Sequence, residues 1–272
     1  MLSLTDTHCH IQEAWKSVNG IDPTAQLWDK AGRPDPGDII ARAQADGVAK
    51  MICVGTTLPD SKLAVDFIQG RSMCRASIGL HPHEAKDYAD NPAKLAEFAA
   101  LAGKPGVIAV GECGLDYFYN HSPKADQAKI LRFQIELALD NNLPMIFHVR
   151  EAFDDFWPIF DEYKDIRGVI HSFSAGTAEL EQILSRGLYV GLNGIMTFTK
   201  HVKQLDAARA VPQGSLLLET DAPYLTPQPF RASICEPRHV RVTAEFLAEL
   251  RGESLQTLAS VTTQNAHRLF GW

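Results

Sequence analysis

Short hydrophobic runs recur along the chain, and each is followed by a polar stretch and an amphipathic segment. Most of these runs are continuous rather than alternating, which is typical of strands buried on both faces of a parallel sheet. The runs are Leu2–Thr7, Ala49–Val54, Ala76–Leu80, Val107–Gly111, Pro144–Val149, Gly168–His171, Leu188–Leu192 and Leu216–Glu219. The pattern therefore predicts an α/β fold with eight parallel strands.

Helix signals mark several of the segments between and after these runs. Ser122 and Pro123 resemble an N-cap followed by a proline in the first turn, and Gly187 is a typical C-terminal stop. The predicted helices cover Pro36–Ala45, the segment from Ser122–Pro123 to about Asn141–Asn142, Thr177–Arg186, Pro237–Arg251 and Ser254–Leu269. Strands alternating with helices indicate either a closed (β/α)8 TIM barrel or an open doubly wound sheet.

Residues that can bind a metal ion stand at the C-terminal ends of five runs. In the first, His8 and His10 are two positions apart and share a strand face, whereas Cys9 points away. The other runs end at Glu112, His148, His171 and Asp221. Active sites of (β/α)8 barrels lie at this end of the strands, so the placement favours the barrel with a site at its C-terminal mouth.

The predicted ligand set contains four histidines and two carboxylates, which is more than one tetrahedral ion needs. Two divalent ions (Mg, Mn or Zn) sharing a carboxylate is therefore the simpler interpretation. Each residue alone could be an ordinary core or surface group. A chance origin, however, would scatter such residues among loops and helices rather than place them at five strand ends.

Size, charge and cysteines limit the remaining possibilities. A chain of 272 residues fits one domain over positions 1–272, and a net charge of −7 disfavours a protein that grips duplex DNA through a basic surface. The five cysteines include no C-x-x-C pair, which predicts free thiols in a reducing cytoplasm. The N-terminus has no basic segment before a long apolar run, and we therefore expect neither a signal peptide nor a membrane span.

Several motifs in this chain resemble those of the TatD family of metal-dependent hydrolases. They are Asp6–His10, Gly79–His83, Gly111–Tyr117, His148–Ala152, His171–Ser174, Glu219–Leu225 and Thr262–Phe270. The resemblance implies a (β/α)8 barrel of the amidohydrolase superfamily with a metal-dependent and often exonucleolytic DNase activity. It implies His8, His10, Glu112, His148, His171 and Asp221 as metal ligands, with Glu112 bridging two ions where many superfamily relatives use a carboxylated lysine.

The chain departs from the family pattern in two places. Cys235 stands where the family usually has an asparagine, which questions one polar substrate contact. The segment Ile11–Pro36 is longer than usual and carries Trp15 and Trp28, which either stack a base or, as we favour, pack on neighbouring helices.

The predicted reaction is hydrolysis of a phosphodiester bond in DNA, at strand ends or in short single strands. Asp221 would orient a metal-activated water and accept its proton. Phosphate charge would be neutralised by Arg150, His81, His83 and Lys200. Arg150 could instead form a surface salt bridge, and His81 could ligate metal or bond a backbone carbonyl. Phe173 and Phe198 offer a stacking face or, alternatively, core packing.

Three alternative functions remain compatible with these residues. The first is an amidohydrolase acting on a small amide, ester or lactone, and the second is a hydrolase of the ester bond in aminoacyl-tRNA. The third is a non-catalytic metal-binding module. Substrate screening separates the first two from a nuclease, and turnover on any substrate excludes the third.

Overall fold

The computed structural model describes residues 2–16 and 23–272, and all eight predicted strands are present there. The strands are β1 (Leu4–Cys9), β2 (Val48–Val54), β3 (Cys74–Ile78), β4 (Val107–Asp116), β5 (Met145–Arg150), β6 (Gly168–Ile170), β7 (Tyr189–Leu192) and β8 (Leu216–Leu218). They follow one another in sequence order in one sheet. This is the strand order of the predicted (β/α)8 fold, and the fold class is confirmed.

Helices alternate with these strands. They are α1 (Gln12–Trp15), α2 (Pro23–Lys30), α3 (Pro36–Ala45), α4 (Leu58–Phe67), α5 (Pro92–Ala99), α6 (Lys124–Asp140), α7 (Phe153–Phe160), α8 (Thr177–Ser185), α9 (Val202–Ala210), α10 (Val240–Arg251) and α11 (Leu255–Phe270). Short 3-10 helices cover Pro82–Asp87, Gly194–Thr197, Gln213–Ser215 and Pro237–His239. No helix in the described part of the chain is long and apolar enough to cross a membrane.

The described residues divide into two compact units. The central unit is the contiguous segment Val54–His171, and the terminal unit combines the N-terminal residues up to Cys53 with Ser172–Trp272. The expectation of a single domain over positions 1–272 stays a prediction.

The terminal unit contains two parallel strand pairs that meet at β1 and β8. β1 pairs with β2, and β7 pairs with β8. The Thr7 hydroxyl donates to the Leu218 carbonyl at 3.0 Å, and a parallel bridge joins Cys9 to Ala222. Helix α11 packs on both β1 and β8. The first and last strands of the chain are thus hydrogen-bonded neighbours.

The central unit contains the parallel strands β3 to β6, with α6 packed against β4. The buried amide of Gln134 on α6 accepts from the Leu80 N–H at 2.8 Å and donates to the Leu80 carbonyl at 3.0 Å. The Gln134 amide therefore satisfies both the N–H and the carbonyl group of Leu80, which lies in the interior just beyond β3.

Most predicted helix boundaries are correct to within one or two residues, but the predicted N-cap at Ser122 is wrong. Helix α6 begins at Lys124 after Pro123, with no side-chain cap. The Ser122 hydroxyl instead donates to the His83 carbonyl at 2.6 Å and accepts from the Lys86 N–H at 3.1 Å. These contacts from a distant loop outcompete the local cap. Pro237–Arg251 likewise begins as a 3-10 turn before α10.

All five cysteines are buried thiols that take part in no disulfide. Burial is the main cause that raises the pKa of Cys235 well above its ordinary value, and the nearby Asp6 and Asp221 raise it further. The thiol at the position of the expected asparagine is therefore neutral at physiological pH.

Asp6 connects β1 to the end of β8 through a buried carboxyl group. Its oxygens accept from the Thr220 N–H at 2.9 Å, from the Thr220 hydroxyl at 2.6 Å and from the His8 N–H at 3.3 Å. Burial raises the pKa of Asp6 to about 8 against the opposing effect of these donors. The carboxyl group therefore satisfies polar groups that have no access to water.

We expect Asp6→Ala to lower the free energy of unfolding by about 2–4 kcal/mol, because buried donors of Thr220 and His8 lose their acceptor. Urea denaturation in the presence of EDTA measures this loss without interference from bound metal. Asp6→Asn is the matched control, since its carbonyl oxygen can still accept from the backbone amides. Equal stability of the two variants would contradict the role given to these hydrogen bonds.

Candidate functional site

The terminal unit brings together three of the predicted ligands, His8, His10 and Asp221. The Nε2 atoms of His8 and His10 are 3.2 Å apart, and Asp221 Oδ1 lies 3.6 Å and 3.4 Å from them, respectively. All three residues stand at or just beyond the C-terminal ends of β1 and β8. The histidines are buried, whereas the Asp221 side chain is 16% exposed.

These distances fit a bound divalent ion. Ligand atoms about 2.1 Å from a tetrahedral ion lie roughly 3.4 Å from one another. The three separations of 3.2, 3.4 and 3.6 Å surround that value. Two imidazoles with one carboxylate are also a common ligand combination for catalytic zinc.

The local backbone explains how these side chains come together. The pairing of β1 with β2 has one extra β1 residue between Asp6 and Cys9, the stretch that carries His8. Such irregularities redirect side chains next to active sites. The Cys9 thiol donates to the Ile52 carbonyl at 3.3 Å, away from the imidazoles, as the alternation of the strand predicts. Asp221 has a φ of +63° and donates its N–H to the His8 carbonyl at 2.8 Å.

The central unit brings together Glu112 and three histidines. Glu112 Oε1 lies 2.7 Å from His148 Nδ1, 2.8 Å from His171 Nε2 and 3.4 Å from His81 Nε2. The nitrogens of His148 and His171 are 3.3 Å apart. The contacts of Glu112 with His148 and His171 have the lengths of charge-assisted hydrogen bonds. Glu112, His81 and His148 together could hold a metal ion.

Electrostatics in this cluster favour an ionised Glu112. Burial by itself would raise the pKa of Glu112, but the surrounding imidazoles, chiefly His171, hold it well below its ordinary value. Burial lowers the pKa of His148, whereas its contacts with Asp116 and Glu112 raise it by more. The cluster therefore presents a negative oxygen among nitrogen donors, which suits a divalent cation.

Glycines let the strands approach closely around Glu112. A Cβ atom on Gly79 would lie 2.3 Å from the backbone nitrogen of Glu112. On Gly114, which has a φ of +151°, it would lie 1.9 Å from the His148 carbonyl oxygen. A side chain at Gly79 would displace the backbone of Glu112, and one at Gly114 would displace the backbone of His148, so both glycines set the geometry of the cluster.

Asp116 is a site residue that the sequence analysis missed. Its buried Oδ2 accepts from Nε2 of His148 and from Nε2 of His83, both at 3.0 Å. Burial opposes its ionisation, but hydrogen bonds from His148 and His83 lower the pKa of Asp116 far below its usual range. A carboxylate on one imidazole nitrogen fixes the ring so that the other nitrogen can bind metal. Asp116 thus orients His148 Nδ1 towards Glu112.

His81 serves in this structure as a hydrogen-bond donor to Glu112. Its Nδ1 accepts from the His83 N–H at 3.2 Å, which assigns the proton of the neutral ring to Nε2. Burial lowers the pKa of His81 to about 4, so the neutral form of the ring dominates at neutral pH. The Nε2–H group points at Glu112 Oε1, and His81 presents a hydrogen-bond donor to the cluster.

The other predicted substrate contacts lie at the surface. Arg150 is exposed, and its guanidinium stacks 4.0 Å from the ring centre of Phe118. In the part of the chain that the structure describes, Arg150 does not form the surface salt bridge that the sequence analysis considered. Lys200 is exposed between the 3-10 helix Gly194–Thr197 and α9, and within the described chain it makes no hydrogen bond or ion pair.

The aromatic residues considered for base stacking mostly serve packing. Trp28 is fully buried and donates from Nε1 to the His10 carbonyl at 3.1 Å, which supports the packing interpretation of this segment. Phe173 is buried, and the ring of Phe198 is covered by the guanidinium of Arg231 at 3.9 Å. Trp15 lies beneath the ammonium group of Lys16 at 4.0 Å. Part of the segment, residues 17–22, lies outside the described residues.

Comparison with known proteins assigns this arrangement to a family. Residues 5–271 match the family model "TatD related DNase". The chain is 35% identical over 269 residues to "Uncharacterized metal-dependent hydrolase YabD" of Bacillus subtilis, covering 98% of both chains. It is 36% identical over 258 residues to "3'-5' ssDNA/RNA exonuclease TatD" of Cronobacter sakazakii, covering 92% of this chain and 96% of the relative.

A solved structure gives the same result. The TatD homologue YJJV from Escherichia coli superposes with a TM-score of 0.84 at 26% identity, covering 99% of this chain and 98% of that one. The sequence match and the likeness of fold therefore extend over nearly the whole chain. With side chains at strand ends that could hold a metal ion, this chain belongs to the TatD family of metal-dependent hydrolases.

Proposed function

We propose that this protein is a nuclease that hydrolyses phosphodiester bonds of single-stranded DNA, working from strand ends. The observation that carries the proposal is the group of His8, His10 and Asp221, whose donor atoms are spaced as ligands of one divalent ion. The relative that is named a 3'-5' ssDNA/RNA exonuclease supports the substrate class. The net charge of −7 favours strand ends over long duplexes, because a continuous basic groove is not expected.

Two sets of residues would hold the metal. His8, His10 and Asp221 would hold one ion. Glu112, His148 and His171, whose donor atoms lie 2.7–3.3 Å from one another, would hold a second. Bound divalent ions would lower the pKa of water and polarise the phosphoryl oxygen. That Glu112 is shared by both ions stays a prediction.

The protein side chains would supply the remaining chemistry. Asp221 is the more accessible carboxylate, 16% exposed against 6% for Glu112, and it would accept the proton of the attacking water. The Nε2–H of His81 would donate to an anionic phosphate oxygen. Arg150 would neutralise phosphate charge from the rim of the site, with His83 and Lys200 as weaker candidates for that role.

We expect Asp221→Asn and His148→Ala each to lower the rate of oligonucleotide cleavage by a factor of about 100 or more. The first removes a proton acceptor, whose contribution is typically about 10²- to 10⁴-fold, and the second removes a ligand. A labelled single-stranded oligonucleotide with Mg²⁺, Mn²⁺ or Zn²⁺ measures the rate. Lys129→Ala on the surface of α6 is the control and should cleave normally.

Unchanged cleavage by both variants would contradict the proposed site. If the wild-type protein cleaves no oligonucleotide with any of the three metals, a panel of amides, esters and lactones becomes the next test. Turnover on that panel would identify a small-molecule hydrolase of the same family.

We expect Asp116→Asn to weaken binding of Mn²⁺ or Zn²⁺ by about 10- to 100-fold, the usual effect of losing a carboxylate partner of a ligating histidine. Calorimetric titration of the metal-free protein measures the affinity directly, without reference to turnover. Asp90→Asn is the matched control, because Asp90 is an exposed carboxylate paired only at the surface with Lys129. An affinity equal to that of the wild type would mean that Asp116 does not orient His148.

A further inference from the structure

Two exposed aromatic side chains stand beside the cluster of the central unit. Phe118 and Tyr119 are each 50% exposed, and their rings meet edge to face at 4.8 Å. The guanidinium of Arg150 lies 4.0 Å from the ring centre of Phe118 and 4.8 Å from that of Tyr119. We call these three residues the aromatic platform.

The aromatic platform is joined to the cluster through Asp116. Oδ1 of Asp116 accepts from the Phe118 N–H at 2.9 Å and from the Tyr119 N–H at 3.1 Å. Oδ2 of the same carboxylate holds the imidazoles of His148 and His83. One buried group therefore fixes both a predicted metal ligand and the backbone of the exposed rings.

Strand pairing provides a second connection. Asp116 on β4 lies opposite Arg150 on β5, two positions beyond the pair Gly114 and His148. The Tyr117 N–H donates to the Arg150 carbonyl at 3.0 Å, which continues the ladder past the strand end. Arg150 and His148 are two positions apart on β5 and so share a strand face.

One side of the Tyr119 ring is packed against two histidines. The ring of His121 stacks on Tyr119 at 5.6 Å with an interplanar angle of 9°, and His83 packs its edge on Tyr119 at 5.5 Å. Lys86 Nζ donates to the His121 carbonyl at 3.1 Å. These contacts hold Tyr119 in place while half of its surface stays open to solvent.

The charge around the platform is suited to an anion. Arg150 has no carboxylate partner in the described part of the chain, and its guanidinium stacks on the ring of Phe118. Lys86 lies nearby and donates from Nζ to the His121 carbonyl. An occupant that combines a flat aromatic surface with a negative group complements both features, and a nucleotide has this chemistry.

We propose that the aromatic platform stacks the nucleobase of the nucleotide next to the scissile phosphodiester, with Arg150 against its phosphate. The inference rests on the proposed nuclease function and adds to it a binding site for the base. Stacking on aromatic side chains accepts every base, because each has a π-face. The site would therefore select for the presence of a base and for single-stranded ends, and it would tolerate any sequence.

The test compares two single-stranded oligonucleotides that differ only at their ends. One carries normal nucleotides throughout, and the other carries abasic residues at both ends. For the wild-type protein we expect kcat/KM to be about tenfold or more higher for the base-bearing oligonucleotide, within the range of about 5- to 150-fold typical of one stacked base. In Phe118→Leu/Tyr119→Leu this preference should fall to about twofold or less, mainly through KM.

Matched variants separate stacking from general damage. Phe118→Tyr keeps an aromatic ring and should keep the preference. Tyr163→Ala removes an aromatic side chain from elsewhere on the central unit, where its hydroxyl donates to Glu136 at 3.0 Å, and it should also keep the preference. Thermal unfolding of each variant checks that the protein is folded.

Equilibrium binding gives a readout that does not need turnover. With 2-aminopurine at the ends of the oligonucleotide and EDTA present, stacking should quench its fluorescence on the wild-type protein and not on Phe118→Leu/Tyr119→Leu. The same measurements with RNA should give the same preference, since stacking does not involve the sugar.

Two failures can be told apart. If the wild-type protein cleaves both oligonucleotides equally, or if the double leucine variant keeps the preference, the platform inference is overturned and the nuclease function stands. If neither is cleaved with any metal, the nuclease function fails, and quenching alone decides the platform. Absence of quenching on the wild-type protein would then overturn the platform as well.

Discussion

Burying the carboxylate of Glu112 carries an energetic cost that the surrounding groups must offset, and much of the central unit is arranged around that requirement. An isolated charge in the interior is strongly unfavourable, so it must be paired or bind a cation. Imidazoles of His148, His171 and His81 surround one of its oxygens within 3.4 Å. Asp116 then fixes the ring of His148 from the opposite side. These contacts keep the Glu112 carboxylate charged, oriented and largely out of water.

The strands and the convergence of His8, His10 and Asp221 are the features that the sequence predicted best, and for a physical reason. Parallel strands buried on both faces read as continuous apolar runs, and all eight were identified with boundaries shifted by a few residues. Side chains two apart share a strand face, which placed His8 and His10 together. The placement of Asp221 beside them followed from the rule that such sites form at the C-terminal ends of strands.

The features that were missed depend on contacts that no local pattern encodes. Asp116 stands four residues after Glu112 in the same motif, but its role depends on loops and strands that meet only in the folded chain. Ser122 has the appearance of a helix cap and instead bonds a distant loop. Phe173 has the same chemistry as Phe118, and only burial distinguishes a core residue from an exposed ring. Burial and distant contacts of this kind can be read only from the folded structure.

The two units differ in how the chain builds them, and this difference has a consequence during synthesis. The central unit is one contiguous segment and contains Glu112 with its imidazole partners. The terminal unit needs both ends of the chain, and the Thr220 hydroxyl reaches back to the His8 carbonyl, 212 positions earlier. Because the chain emerges from the ribosome N-terminus first, every member of the central cluster is synthesised before Asp221. His8 and His10 must wait for Asp221, so the group of these three residues forms only after the chain has been synthesised as far as residue 221.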